Sequence, residues 1–292
     1  MKRPVVVLGT FDGVHRGHQK LIASALKFAK KNKAPVYVIT FDPHPQQYIR
    51  PERGLKLLTT LDLRKELILA QGVARVVVLR FDKRMQKMDA EHFVKNILAK
   101  RLKTCCVFVG FDYAFGRGRV GGINKLKELG REFDFKVKVV APVKTHKHMI
   151  KSRIIREMIG KGKFHDAVYL LGHPYYIWGR VTKGAGRGKK LGFPTANLKV
   201  DRHKLVPAHG VYSGYVVLGK KKHKAVINIG ARPTFGRQSV AIEAHILGFN
   251  GNLRNKQLKL ALLRRLRDER QFSDVEKLKA QIKKDVARTR KM

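Results

Sequence analysis

The sequence predicts an α/β unit built on a parallel sheet, followed by an antiparallel β-barrel that ends in a helix. Three observations carry this expectation. Up to about Leu171, apolar β-rich runs alternate with stretches of helical periodicity, the pattern of strands covered on both faces by helices. After "LGHPYY" (171–176), closely spaced strand-like segments follow one another through Gly- and Pro-bearing turns. Beyond "FSD" (272–274) an amphipathic helical pattern returns. The expected domains are therefore 1–171 and 172–292, which are expected to touch through the 152–175 region.

In the first half the expected strands are "VVVLG" (5–9), "PVYVIT" (35–40), "VARVVVL" (73–79), "CCVFVG" (105–110) and "KVKVVAP" (136–142). Helix-like stretches lie near 17–31, 61–71, 89–102 and 123–131. "TFDPHP" (40–45) is a rigid turn after the second strand because two prolines restrict it, and His44 is structural there. In the second half the strands are "YYIWGRVT", "VYSGYVVL", "KAVINIG", "VAIEAHIL" and "KQLKLALL". Ser273 is the predicted cap of the last helix, with Glu276 three residues on.

A chain of 292 residues, 43% of them hydrophobic, can bury a substantial core. No run approaches the ~18 to 20 apolar residues a spanning helix needs, and the start of the chain lacks a leader pattern, so a cytoplasmic protein is expected. Cys105 and Cys106 are adjacent in an apolar run and read as buried residues rather than a disulfide or metal site. Lys plus Arg number 64 against 21 Asp plus Glu, a net charge of +43 spread along the whole length. Such a surface attracts polyanions, and non-specific association with nucleic acid is a plausible secondary property. No zinc-finger spacing, basic region with heptads or paired-aromatic RNA signature accompanies it. Nothing in the sequence sets an oligomeric state.

The first strand runs into "GTFDGVHRGH" (9–18). A loop after the first strand of an open parallel sheet lies at its carboxyl edge, where such sheets bind ligands, and the next helix offers free N–H groups to an anion. His15 and His18, three apart, fall on one side of that helix, and Gly17 lets something bulky come close. The set suits a triphosphate. A metal pair is the rival, without a third ligand at zinc-like spacing; satisfied loop histidines are the plain alternative. "GAGRGKKLG" (184–192) fails the P-loop pattern and reads as a flexible basic loop or a solvated turn. Thr195 and Asn197 in "FPTAN", at i and i+2, point the same way in an extended segment, which fits a hard Mg²⁺, although such residues are often turn formers. In "VAIEAHIL", Val240, Ile242, Ala244 and Ile246 share one face, leaving Glu243 and His245 on the other. That carboxylate can take a proton or merely solubilise a strand.

These residues resemble a family. "GTFDGVHRGH" is similar to the HxGH signature of nucleotidylyltransferases, in the form found in bacterial bifunctional riboflavin kinase/FMN adenylyltransferases. "TFDPHP", "VGFDYAFGRGRVG" (109–121), "LGHPY" (171–175), "GRGKKLGFPTANL" (186–198), "GVYSGYV" (210–216), "NIGARPTFG" (228–236), "IEAHIL" (242–247) and "LRDERQF" (266–272) follow in that family's order. The resemblance implies a Rossmann-like nucleotidyltransferase domain and a riboflavin kinase-like barrel, which phosphorylate riboflavin to FMN and adenylylate FMN to FAD with two molecules of ATP and with Mg²⁺. It makes Glu243 the kinase base and places Mg²⁺ and ATP on Thr195 and Asn197. His15 and His18 become the stabilisers of adenylyl transfer. Gly9, Phe11, Gly17, Asp112, Ser152 and Arg156 are the implied binding residues of the first half, and Gly186, Lys190, Gly192, Pro194 and Arg267 those of the second. Taken alone, Asp112 reads as a turn residue and Arg267 as a surface charge.

The sequence also departs from the family. Where ISSTxIR is expected it has "IKSRIIR" (150–156), with Lys151 and Arg153 in place of a Ser and the Thr. His173 replaces an Arg, Gly122 an Asp, and "LGFNGNLRN" (247–255) lacks the expected acidic residues and Tyr. Two alternatives follow: a riboflavin kinase with a weakened adenylyltransferase, and a basic nucleic-acid-binding protein on the same scaffold.

Overall fold

The computed structural model describes residues 2–145, 149–184, 186–219, 221–234 and 237–292, with 232–234 and 237–239 as backbone alone. Phe235 and Gly236 of the motif at 228–236, and Ala185 of the basic loop, lie outside the described residues. The chain divides into two compact units, Met1–Ser152 and Arg153–Met292.

The first unit runs β1 (Val5–Leu8), α1 (Arg16–Lys31), β2 (Val36–Asp42), α2 (Pro45–Ile49), α3 (Leu61–Leu69), β3 (Arg75–Arg80), α4 (Lys83–Lys87), α5 (Ala90–Phe93), a π-helical stretch Val94–Arg101, β4 (Cys106–Gly110), α6 (Ile123–Glu132) and β5 (Lys136–Val140). All five strands are parallel, in the order β3-β2-β1-β4-β5. Alternate residues of β1 feed two cores. Val6 and Leu8 pack with Ile39, Phe93 and Leu126, whereas Val5 and Val7 pack with Ile22 and Ala25 of α1. The central strands are therefore buried on both faces, as their near-continuous apolar sequence requires, while the edge strands β3 and β5 are partly exposed. The chain passes from β1 to β2 on one side and reaches β4 on the other, which makes the carboxyl end of β1 the switch point of the sheet. Cys106 is buried in β4, and desolvation pushes its thiol up to about 11.

The second unit runs α7 (Ser152–Gly160, its first residue being the last of the first unit), α8 (Phe164–Leu171), β6 (Tyr175–Thr182), α9 (Arg187–Lys190), β7 (Ala196–Val200), β8 (Gly210–Leu218), β9 (Lys221–Thr234), β10 (Arg237–Ile246), β11 (Gln257–Arg267) and α10 (Val275–Arg290). Six antiparallel strands close into a barrel, β10-β7-β6-β11-β8-β9. Its interior holds Ile177, Leu198, Tyr212, Ile227, Ile242 and Leu260, all buried. Ile282 and Val286 of α10 pack outside it against Val211, Val226 and Leu266.

Three details differ from the sequence expectation. β7 was not foreseen as a strand of the barrel, because "ANLKV" carries no apolar run. Val240 lies on the face of Ile242, Ala244 and Ile246 but, unlike them, is 47% exposed, because β10 pairs with β7 only at Glu243 and Ala244. The cap of α10 is Asp274, whose carboxylate accepts from the Lys277 N–H at 2.7 Å, while Ser273 donates to Asp274 one residue outside the helix. Among the described residues no helix is long and apolar enough to cross a membrane.

Candidate active sites

The loop 9–15 sits over the carboxyl end of the central strand, and its shape is set from beneath. Asp12, 1% exposed, accepts from the Thr59 N–H (3.0 Å), the Thr59 hydroxyl (3.2 Å) and the Leu58 N–H (3.2 Å), and the Gly13 N–H donates to Thr59 Oγ1 (3.0 Å). This anchoring holds Phe11 (φ 54°) and Val14 (φ 40°) in left-handed conformations that cost roughly 1–3 kcal/mol each for such residues. The Phe11 ring is fully buried and lies against Gly9, where a Cβ would meet it at 3.1 Å. Phe11 has no exposed surface and therefore shapes the loop from within.

His15 caps α1. Its Nδ1 accepts from the His18 N–H at 3.4 Å, which leaves the proton of the neutral ring on Nε2. The two imidazoles stack, with centroids 3.7 Å apart and planes at 14°, and His18 leans on Phe11 at 5.0 Å. Gly17 makes room for its own neighbour: a Cβ there would stand 3.1 Å from the His15 ring. Burial, then His15 and Arg64, hold the His18 pKa well below the usual histidine value, so the ring is neutral at pH 7. Its buried Nδ1 has no hydrogen-bond partner among the described residues.

Arg64, which the sequence reading passed over, is fully buried under this loop. Nη1 donates to the Thr10 carbonyl at 2.8 Å and Nη2 lies 4.0 Å from Asp42, while Nε and Nη2 make no hydrogen bond. The available signal was its place four residues before the buried Ile68 on α3. Ser152, the last residue of the first unit, donates to the Asp12 carbonyl at 2.9 Å, so this hydroxyl is held against the histidine loop. Arg156 lies four residues further along α7, half-buried. Asp112, after β4, pairs with Lys151 at 2.8 Å, and Lys151 also stands 5.2 Å from the Phe111 ring. Arg153 pairs with Glu157 at 2.6 Å on an exposed face. Both cations that depart from the family pattern therefore have carboxylate partners.

On the barrel, Glu243 of β10 lies directly opposite Asn197 of β7. The lateral row continues around the wall: Thr182 opposes Asn197, Asn228 opposes Glu243, Val211 opposes Asn228 and Arg267 opposes Val211. Directly opposed residues project from one face about 4.5–5.5 Å apart. Because Leu198 and Ile242 fill the interior, this row lies on the outside of the barrel.

The basic loop folds onto that row. A Cβ on Gly188 would stand 2.5 Å from the Phe193 carbonyl oxygen and 3.1 Å from Thr195 Oγ1, which leaves no room for a side chain, and one on Gly184 would push the Asn197 amide out of place. Gly186 (φ 72°) and Gly192 (φ 86°) turn left-handed at either end of α9, and Lys190 between them is exposed. His245 donates to the Pro194 carbonyl at 2.9 Å and meets the Phe193 ring edge-on at 5.6 Å, fixing the segment that carries Thr195. Arg267 is not a surface charge: it is 11% exposed and its Nε is 2.9 Å from Asp285, itself 1% exposed on α10. Thr195 and Asn197 are hard oxygen donors, and among the described residues no group of three His, Cys, Asp or Glu could hold an ion unaided. An ion held here fits Mg²⁺, which completes its shell with water and phosphate oxygens.

Residues 1–154 match the FAD synthetase family and residues 171–292 the riboflavin kinase family. A bifunctional riboflavin kinase/FMN adenylyltransferase of Buchnera aphidicola subsp. Schizaphis graminum is 35% identical over 286 residues, 96% of this chain and 91% of the relative. The Escherichia coli K12 protein of that name is 34% identical over 282 residues (96% and 90%), and the Pseudomonas fluorescens protein 35% over 289 (98% and 92%). A crystal structure of a Streptococcus pneumoniae protein described as a macrolide-efflux protein is 32% identical, with a TM-score of 0.90 over 100% of this chain and 95% of that one. Matched in both halves and along nearly its whole length, the chain belongs to the family of bifunctional riboflavin kinases/FMN adenylyltransferases.

Proposed function

We propose that the protein makes FAD in two steps: the barrel phosphorylates riboflavin to FMN, and the parallel-sheet unit adenylylates FMN, each with its own ATP. The observation that carries the kinase step is Glu243 directly opposite Asn197 on the outer wall. Glu243 takes the proton of the riboflavin hydroxyl as that oxygen attacks the γ-phosphorus; the bond to the bridging oxygen breaks and ADP leaves. Thr195 and Asn197 hold Mg²⁺, which when bound offsets the charge of the phosphates. Gly186, Lys190, Gly192 and Pro194 shape the loop over the nucleotide, and Arg267 fixes α10 beside the flavin.

In the first unit a phosphate oxygen of FMN attacks the α-phosphorus of ATP and pyrophosphate leaves. The N–H groups of His15 and His18 and the amino end of α1 meet the charge that builds on the phosphates. Neutral imidazoles suffice, because they donate hydrogen bonds without having to be charged. Ser152, tied to the loop, supports the full two-step reading over a kinase alone. ATP dependence goes with work in the cytoplasm.

Riboflavin, ATP and Mg²⁺ incubated with the pure chain, with products separated by chromatography, test the assignment. Glu243→Gln should lower FMN formation about 100-fold or more while supplied FMN is still converted to FAD. His18→Ala should accumulate FMN. Phosphorylation by Glu243→Gln within tenfold of the unmodified rate would refute the role of Glu243.

A further inference from the structure

The charge of +43 exceeds what two small anionic substrates require, and one sector of the barrel wall carries part of it in an arrangement of its own. Strands β6, β11, β8 and β9 are consecutive neighbours. Across them Trp178, Lys259, Val217 and Lys222 stand in one lateral row, and Tyr176 and Tyr215 flank Ala261 in the next. Both rows lie on the outer face, since the alternating residues Ile177, Leu260 and Val216 are buried.

Rings and cations interleave here. The Lys259 ammonium stands 4.4 Å from the centre of the Tyr176 ring and that of Lys222 5.1 Å from Tyr215. Arg180 and Lys222 are exposed, the three aromatic side chains are half-buried, and no carboxylate occupies either row. Trp178 lies four residues along β6 from Thr182, about 13 Å from the row of Glu243 at the rise of a strand. None of the residues assigned to the kinase step stands in these two rows.

We infer that this face binds single-stranded nucleic acid. Unpaired bases stack on aromatic planes of any sequence context, and phosphates take up the cations between them. Charge alone would suit any polyanion; three aromatic side chains set among the cations select one whose bases are free. A duplex hides its bases and presents only phosphates, and an acidic protein has no use for the rings. This property is additional to flavin chemistry and does not rest on it.

Trp178 is the only tryptophan, so its emission reports directly on this face. The full chain is titrated with fluorescein-labelled oligo-U, oligo-dT and duplex DNA of about 15 nucleotides per strand, at roughly 50 and 200 mM salt. The single strands should quench Trp178 saturably and bind at least about fivefold more tightly than the duplex, as expected of one or more stacked bases. Lys222→Glu with Lys259→Glu should weaken binding tenfold or more and reduce the salt slope by about 1.4, two phosphate contacts at ~0.7 each, while riboflavin phosphorylation is unchanged. Comparison of oligo-U with oligo-dT tells which nucleic acid is preferred. Equal affinity for duplex and single strands without quenching of Trp178, unchanged affinity in the lysine double variant, or no binding at all would each overturn the inference.

Discussion

The Arg267–Asp285 pair sets a stability that can be worked out from its surroundings. Asp285→Asn keeps the volume and leaves the guanidinium, 11% exposed, without its counter-charge at 2.9 Å. Gln281, which donates to Asp285 Oδ1 at 3.0 Å, can turn its amide over to match, so the loss falls on the buried charge. Breaking such a pair costs about 3–5 kcal/mol, and the remaining hydrogen bond puts this case near 3. With a urea slope of about 2 kcal/mol per molar, the unfolding midpoint of the barrel unit should fall by roughly 1.5 M. Trp178 lies in β6, so its emission reads that unit alone. Arg267→Met combined with Asp285→Leu removes both charges and should regain most of the lost stability, because apolar side chains of similar size replace a buried pair at little or no cost. A midpoint shift below about 0.3 M for Asp285→Asn would refute the view that this pair holds α10 in place.

Gly184→Ala, which drives a methyl group into the Asn197 amide, should lower riboflavin phosphorylation at least about tenfold with adenylyl transfer from supplied FMN intact, as steady-state rates of the two half-reactions would show. His18 stays neutral in the fold while the unfolded chain takes up a proton near pH 6.5, so its contribution is present above that pH and is lost as pH falls below it, at no more than about 1.4 kcal/mol per pH unit. Circular dichroism melts at pH 7.5 and 5.5 should therefore show a smaller pH effect in His18→Gln than in the unmodified protein. Lys151→Ser breaks an exposed pair worth less than about 1 kcal/mol, so melting should not move, but the freed Asp112 carboxylate should raise the KM for ATP in adenylyl transfer and Asp112→Asn should restore it.

The parallel sheet was legible because its central strands are buried on both faces, so "VVVLG" and "CCVFVG" are apolar along their length, while the edge strand "KVKVV" keeps enough valine to be recognised. β7 was hidden for the opposite reason: its outward positions, Asn197 and Lys199, are polar, so a strand of only five residues alternates and offers no apolar run. The motifs identified Glu243 and Asn197 but not that they face each other, since register depends on turns and pairings remote in sequence. The place of Asn228 opposite Glu243 and the hydrogen bond from His245 to the Pro194 carbonyl were invisible for the same reason. Arg64 looked like any helix-surface cation beside Lys65; only the packing of α3 shows that it is the buried one. Gly17 was read as clearance for a ligand, whereas the space is taken by the imidazole two residues before it.

The barrel order has a consequence for synthesis. β11, last of the strands to leave the ribosome, is the one that lies between β6 and β8, and Arg267 stands at its end. A growing polypeptide can complete its five-stranded half early, with the stacked imidazoles already in place, yet flavin phosphorylation has to wait until β11 has been made and has closed the barrel.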